Sequence, residues 1–283
     1  MIVCTDLDRT LIYSAAALDL GVPDAQAPRL LCVEVYRGAP LSYLTETAAD
    51  LLRELSRRTV LVPTTTRTPE QLARVHLPGP PPRYAIASNG GHLLVDGVPD
   101  RGWTELVAVR LRGCAPLAEV EAHLRASTGP FVTALRVASQ MFAYAVVDRA
   151  ALPDGWVDAL AGWCDPRGWA VSLQGRKVYA VPRPLTKSAA AAEVRARVGG
   201  GPLLAAGDSL LDADLLEFAD AAIRPAHGEL AEAGFTRDHL TVTSSTGVRA
   251  GEEVLAWIHA RVQESPVKDR IEGTTPSWRC GTN

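Results

Sequence analysis

The stretch "MIVCTDLDRTLI", residues 1–12, decides the fold. Met1–Thr5 reads as a short buried strand, and Asp6 and Asp8 follow it one residue apart. Side chains alternate along extended chain, so both carboxylates share a side if the extension continues. Two unpartnered anions so placed repel, and one is driven to keep its proton. A divalent cation resolves that conflict, and so does an ordinary solvated turn. The pair alone does not choose between them.

The remaining apolar runs supply the context. "TVLVPT" (59–64), "YAIAS" (84–88), "PLLAAG" (202–207), "AAIRP" (221–225) and "TVTSS" (241–245) join the first run as predicted strands of one sheet. Amphipathic segments lie between them, the pattern of parallel strands linked by crossover helices. Ala48, Leu51, Leu52 and Leu55 follow helical spacing, with Thr47 and Asp50 resembling a capping box. Val254, Leu255, Trp257, Ile258 and Val262 form a similar stripe in a late helix.

The middle of the chain reads differently. The strand-like runs "FVTALRVASQMFAYAVVD" (131–148) and "WAVSLQGRKVYAVP" (169–182) alternate with the helical "APLAEVEAHLRAS" (115–127) and "GWVDALAGWCD" (155–165). The expected fold is α/β: a Rossmann-like three-layer core with a mostly parallel sheet on residues 1–89 and 184–262, plus an α+β insert on 90–183. Residues 14–44 form a long excursion with Pro23, Pro28 and Pro40 as breakers, either a flap over a site or a decorative loop. Residues 263–283 read as a loosely held polar tail.

Bulk properties narrow the function. The 283 residues carry a formal net charge of −3, with 47% hydrophobic and only 6% aromatic residues. That balance offers no basic field for nucleic acid or an anionic membrane, and no run is long enough to cross a bilayer. Neither a signal peptide nor a CxxC pair is visible among Cys4, Cys32, Cys114, Cys164 and Cys280, so a reducing cytoplasm is expected. The histidines show no ligand spacing.

Four stretches fall at the C-terminal ends of predicted strands or at helix starts, the edge where open α/β sheets bind ligands. They are "DLDRT" (6–10), "TTTRT" (64–68), "LTKS" (185–188) and "GDSLLD" (207–212). Singly, each has a bland reading: turn aspartates, β-branched strand threonines, a solvated lysine, a helix-capping carboxylate. Together they resemble the haloacid dehalogenase superfamily of phosphatases, whose first motif is DxDx[TV]. The position of the insert after "SNGG" is similar to the subclass with an α/β cap there, which includes sucrose-phosphate and mannosyl-3-phosphoglycerate phosphatases.

The resemblance implies a set of roles. Asp6 is the nucleophile that forms an aspartyl-phosphate, and Asp8 is the acid and base. Mg²⁺ is held by the Asp6 and Asp208 carboxylates and the Asp8 backbone carbonyl. Thr65 and Lys187 bind the phosphoryl group, with Asp212 supporting Lys187 or metal-bound water. Thr65 is chosen over Thr64 and Thr66 because Arg67 then matches the arginine of a T-G-R pattern. Arg9, Arg67, Asn89, Gln174, Arg176 and Lys177 are candidate substrate contacts, although the tip of a hairpin such as "QGRK" is polar simply because it is wet. The partner is a small phosphorylated metabolite, and the expected activity is hydrolysis. Transfer of the same phosphoryl group to a hydroxyl, or phospho-ligand binding without catalysis, stays open. Three positions depart from the family pattern: Arg9 and Thr66 replace glycines, and Leu211 replaces an asparagine near the metal.

Overall fold

The computed structural model describes residues 1–264, so the expected tail lies outside the described residues from residue 265 onward. The chain opens with β1 (Ile2–Thr5), every residue of which is buried. The second half of the 14–44 excursion is a hairpin of β2 (Leu30–Tyr36) and β3 (Ala39–Thr45). Pro40 sits within β3 rather than breaking it, because both strands of this two-stranded sheet are edges where a missing N–H is tolerated. The helix α1 (Glu46–Arg58) follows at once. Its cap is Thr45, whose hydroxyl accepts from the Ala48 amide at 3.0 Å, ahead of the expected Thr47–Asp50 pair. The reason is that β3 delivers Thr45 in extended geometry to the first helical turn.

Next come β4 (Val60–Pro63), α2 (Pro69–Leu72), β5 (Tyr84–Ala87), β6 (His92–Val95) and β7 (Val98–Pro99). The middle of the chain contributes α3 (Arg101–Leu111), α4 (Leu117–Ala126), β8 (Val132–Ala138), β9 (Phe142–Val147), α5 (Trp156–Cys164), β10 (Trp169–Gln174) and β11 (Lys177–Pro182). Its strands form a separate antiparallel sheet in the order β10-β11-β9-β8. The chain then returns through α6 (Lys187–Arg197), β12 (Leu203–Ala206), α7 (Ala213–Phe218), β13 (Ala221–Arg224), α8 (Glu229–Glu232), β14 (Leu240–Val242) and α9 (Gly247–Glu264).

The main sheet is parallel, in the order β14-β13-β12-β1-β4. "YAIAS" departs from expectation: β5 lies beside β4 but bridges only its end, at Thr64–Ile86, and forms its ladder instead with β6. Ser88 and Asn89 cause this, since their positive φ values of 53° and 55° fold the chain straight back along β5. Helices cover both faces of the parallel sheet. Val3 packs with Leu52, Leu55, Val254, Leu255 and Ile258 of α1 and α9, while Ile2 and Cys4 face Ala190, Ala191 and Val194 of α6 and Leu215 of α7. Among the described residues, no helix is long and apolar enough to cross a membrane.

From β1 the chain runs to β4 on one side, and it reaches β12 on the other only after the insert. The strand order therefore switches direction at β1, which opens a crevice at the C-terminal ends of β1 and β12.

Candidate active site

Asp6 leaves β1 still in register, its amide donating to Ala206 of β12 at 2.8 Å. The chain then winds tightly, with Thr10, Leu11 and Ile12 all donating to the carbonyl of the buried Leu7. Arg9 takes a left-handed backbone with φ 64°, which explains why the family pattern has glycine there. His227 braces this turn: its Nε2 bonds the Arg9 carbonyl at 2.8 Å, and its Nδ1 accepts from the Gly247 amide at 3.2 Å. The ring is thus the Nε2–H tautomer, and burial pushes its pKa down.

The two aspartate side chains do not share one basic partner. Asp6, only 5% exposed, accepts from Lys187 Nζ at 2.6 Å. Asp8 is clamped by Arg67 instead, with Nε to Oδ2 and Nη2 to Oδ1 both at 2.7 Å. Burial works to raise the Asp8 carboxyl, but hydrogen bonds and charge from Arg67 outweigh it and hold the group below its ordinary value.

Lys187 begins α6 behind the cap Thr186, whose hydroxyl accepts from Ala189. Its ammonium is fully buried between Asp6 and Asp212. Burial alone would lower its pKa, yet Asp212 and Asp6 raise it, so the lysine stays charged. Asp212 is itself saturated. Its Oδ2 accepts from the amides of Asp208 and Ser209 and from the Ser209 hydroxyl at 3.2, 2.9 and 2.7 Å. Gly207 makes this possible, since a Cβ there would overlap the Asp212 side chain. Gly228 does the same for Asp208, because its Cβ would fall 2.6 Å from an Asp208 carboxylate oxygen.

Carboxylate oxygens of Asp6, Asp208 and Asp212 all lie within 4.8 Å of one another. Burial first, then the repulsion of the neighbouring aspartates, pushes Asp6 up to about 7 against the pull of Lys187. The same causes raise Asp208 well above its ordinary value. Arg9 offers Asp208 only a long contact of 3.6 Å from a partly exposed side chain. Three buried carboxylates thus face one buried ammonium. The surplus negative charge and the all-oxygen donor set fit a hard divalent cation such as Mg²⁺.

The threonines separate by their bonds. Thr64 donates its hydroxyl to Val62 inside the strand at 2.9 Å, whereas Thr65 Oγ1 only accepts, from the Arg67 amide at 3.2 Å. Thr66 lies against the Tyr179 hydroxyl of the inserted sheet. Two expected substrate contacts are otherwise engaged. Besides Asp8, Arg67 bonds Glu34 of the β2–β3 hairpin at 2.8 Å. Asn89 is buried and donates to the Leu185 carbonyl at 2.7 Å, tying "SNGG" to the segment that carries Lys187. Gln174 leans back along its own strand to Ser172 at 3.4 Å, while among the described residues Arg9, Arg176 and Lys177 keep no carboxylate closer than the Arg9–Asp208 contact.

Some site residues escaped the sequence reading. Glu229 accepts from Ser172 Oγ at 2.8 Å, Leu173 N at 2.8 Å and Leu210 N at 3.0 Å, fastening β10 to the loop that carries Asp208. Glu34 stands behind Arg67 and also accepts from Ser42 at 2.6 Å and Arg74 at 3.2 Å. A lone acidic residue inside the apolar strand "LLCVEVY" was the available signal for Glu34. Glu229 has none, because its partners lie 19 or more residues away.

Gly90 is the tightest steric point around Lys187. At φ 93° its missing Cβ would overlap the Thr186 carbonyl. Gly90→Ala should cost about 2–3 kcal/mol or more through this clash and the disfavoured backbone. A urea melt measures it, and an unchanged midpoint would show that the Asn89–Gly90 turn does not hold the start of α6.

No family model matches the sequence, and no curated protein does. Solved structures match its fold. The sucrose-phosphatase of Synechocystis sp. PCC6803, solved with sucrose and phosphate, superposes with a TM-score of 0.65 at 15% identity, covering 93% of this chain and 98% of that one. A trehalose-6-phosphate phosphatase related protein gives 0.53 at 17%, covering 94% and 100%. A sugar phosphatase of haloacid dehalogenase subclass IIB gives 0.55 at 11%, covering 92% and 99%. The protein thus has the fold of these proteins, along nearly the whole length of each.

Proposed function

We propose that the protein is a cytoplasmic, Mg²⁺-dependent phosphomonoester hydrolase acting on a small phosphorylated metabolite of the sugar-phosphate class. One observation carries this reading: the buried Lys187 ammonium is shared by Asp6 and Asp212, with the Asp208 carboxylate beside them, although these residues come from separate strand ends and a helix start. A folded chain tolerates such crowded buried charge where it serves chemistry. Likeness of fold to sugar phosphatases supports the substrate class.

In this reading the Asp6 carboxylate attacks phosphorus and the ester P–O bond breaks. Asp8 gives its proton to the leaving oxygen, then takes one from the water that cleaves the aspartyl-phosphate and frees Asp6. Asp8 must therefore be protonated when the ester leaves, so its clamp by Arg67 has to loosen as substrate enters. Lys187 and the Thr65 hydroxyl steady the phosphoryl oxygens. The Asp6 and Asp208 carboxylates and the Asp8 carbonyl would hold Mg²⁺, which when bound neutralises phosphate charge. Residues 90–183 act as the cap that excludes water from this crevice.

Phosphate release from p-nitrophenyl phosphate and a sugar-phosphate panel, with Mg²⁺ and then with EDTA, tests the reading. Metal-dependent release into water is expected. Transfer to added sugars would make the protein a phosphotransferase, and no turnover by folded protein would leave a binding module.

Metal binding should also appear in stability. Asp6 is raised to about 7 and Asp208 is raised as well, so above the ordinary carboxylate range the folded metal-free protein holds protons that the unfolded chain does not, on Asp6 up to about pH 7. Their contribution to stability therefore falls as pH rises through that window. Mg²⁺ replaces those protons, so the gain in Tm on adding it should grow from pH 5 to pH 8 (approximate bounds of the window). A gain independent of pH would place the cation elsewhere.

A further inference from the structure

The two faces of the inserted sheet differ in chemistry. One is apolar: Val178, Ala180, Ala143, Ala145 and Val147 are buried in the cluster that contains Val120 and Leu124 of α4 and Leu160 of α5. The other carries a row of polar and aromatic residues. Ser172 pairs with Tyr179, Tyr179 with Tyr144, and Tyr144 with Arg136, so their side chains share a face. Lys177, two residues before Tyr179, lies on the same face.

That face looks toward the crevice. Ser172 donates to Glu229 beside the Asp208 loop, and the Tyr179 hydroxyl lies against Thr66 beyond β4. The Tyr144 and Tyr179 rings stand 5.2 Å apart and 37° from parallel, and Lys177 Nζ sits 5.8 Å from the centre of the Tyr144 ring. Lys177 and Asp8 feel each other's charge. Asp8, however, is already neutralised by Arg67, and neither Lys177 nor Arg136 forms an ion pair among the described residues. Lys177 and the two tyrosine rings therefore stand on the oxygen-protonating side of the site, Lys177 without a protein anion of its own among the described residues. Arg136 instead donates to the neighbouring Leu135 carbonyl at 2.9 Å.

We propose that Tyr144, Tyr179 and Lys177 seat the leaving group of the ester, and that this group is a sugar ring bearing a second anion. The ring's C–H face lies on the tyrosines, which supply apolar area together with a polar edge. Its carboxylate or second phosphate is taken by Lys177. This rests on the phosphatase reading, because Asp8 marks where the leaving group must be.

The test uses hexose phosphates matched in all but one group. Glucose 1-phosphate, glucuronic acid 1-phosphate and glucose 1,6-bisphosphate differ only at C6 and keep the same pyranose ring. In the wild-type protein at least one anion-bearing ester should exceed its neutral counterpart in kcat/KM by about tenfold, the scale of one charge-assisted hydrogen bond. A carboxylate preference and a phosphate preference identify the two possible sources of the anion. Lys177→Met should bring that ratio close to one while Lys177→Arg restores most of it, a pattern that mere loss of packing would not give. Equal rates for neutral and charged esters would overturn the proposal, as would a ratio that survives Lys177→Met. If none of the esters turns over, calorimetric binding of the same compounds decides it. Tighter binding of the charged members sustains the seat without the hydrolase, and equal or absent binding ends it.

Discussion

An Asp6→Asn protein should fold as the wild type does and release no phosphate. The amide matches the carboxylate in shape, and its oxygen can still accept from Lys187, which the wild-type pair holds at 2.6 Å. It is a far poorer nucleophile, so the loss in rate should reach about 10⁴-fold or more, the scale seen when a covalent step is removed. Stability should move little or upward, because one of three mutually repelling carboxylates is gone. A phosphate-release assay paired with a thermal melt reads both quantities. Wild-type rates in a well-folded variant would remove Asp6 from the chemistry and the aspartyl-phosphate with it.

Lys187→Met has the opposite profile, with losses in both stability and turnover. Methionine fills a similar volume but leaves Asp6, Asp208 and Asp212 together without the ammonium that Asp6 and Asp212 share. Removing one partner from a buried ionic cluster costs about 3–5 kcal/mol. The stranded carboxylates can escape part of that penalty by holding protons, so the destabilisation should be larger at pH 8 than at pH 5.5 (round values either side of the raised Asp6 pKa of about 7). Added Mg²⁺ should restore part of the lost stability, because it replaces the missing positive charge, yet restore little turnover, because in the proposed mechanism Lys187 also steadies the phosphoryl group. Urea melts at the two pH values, with and without Mg²⁺, separate these effects. Unchanged stability at pH 8 would mean that the cluster is neutral in the folded protein.

The legible part of this protein was local. Runs such as "MIVCT" and "PLLAAG" are too short and too uniformly apolar for anything but strands buried on both faces, and β1 and β12 are both fully buried. The acidic motifs at their ends also follow from order alone, since a parallel sheet sends every strand's C-terminal end to one edge. Local reading failed where a competing contact lay nearby. "YAIAS" has the composition of a sheet member, but the chain reversal at Ser88–Asn89 gives its edge to β6. Thr47 has the spacing of a capping residue, but β3 runs on to Thr45 and starts α1 there.

By itself, then, the sequence determined the layers, the insert and the identities of the charged groups, because those depend on periodicity and on chain order. Only the tertiary structure decided how the charges pair. Asp6 and Asp8 are separated in the chain by Leu7 alone, yet one answers to Lys187, 181 positions away, and the other to Arg67, 59 positions away. Glu34, Glu229 and the Tyr144–Tyr179 row likewise acquire their places only through strand pairing and cap–core contact. Electrostatic energy inside a protein depends on distance and burial, and neither is a property of a residue's position along the chain.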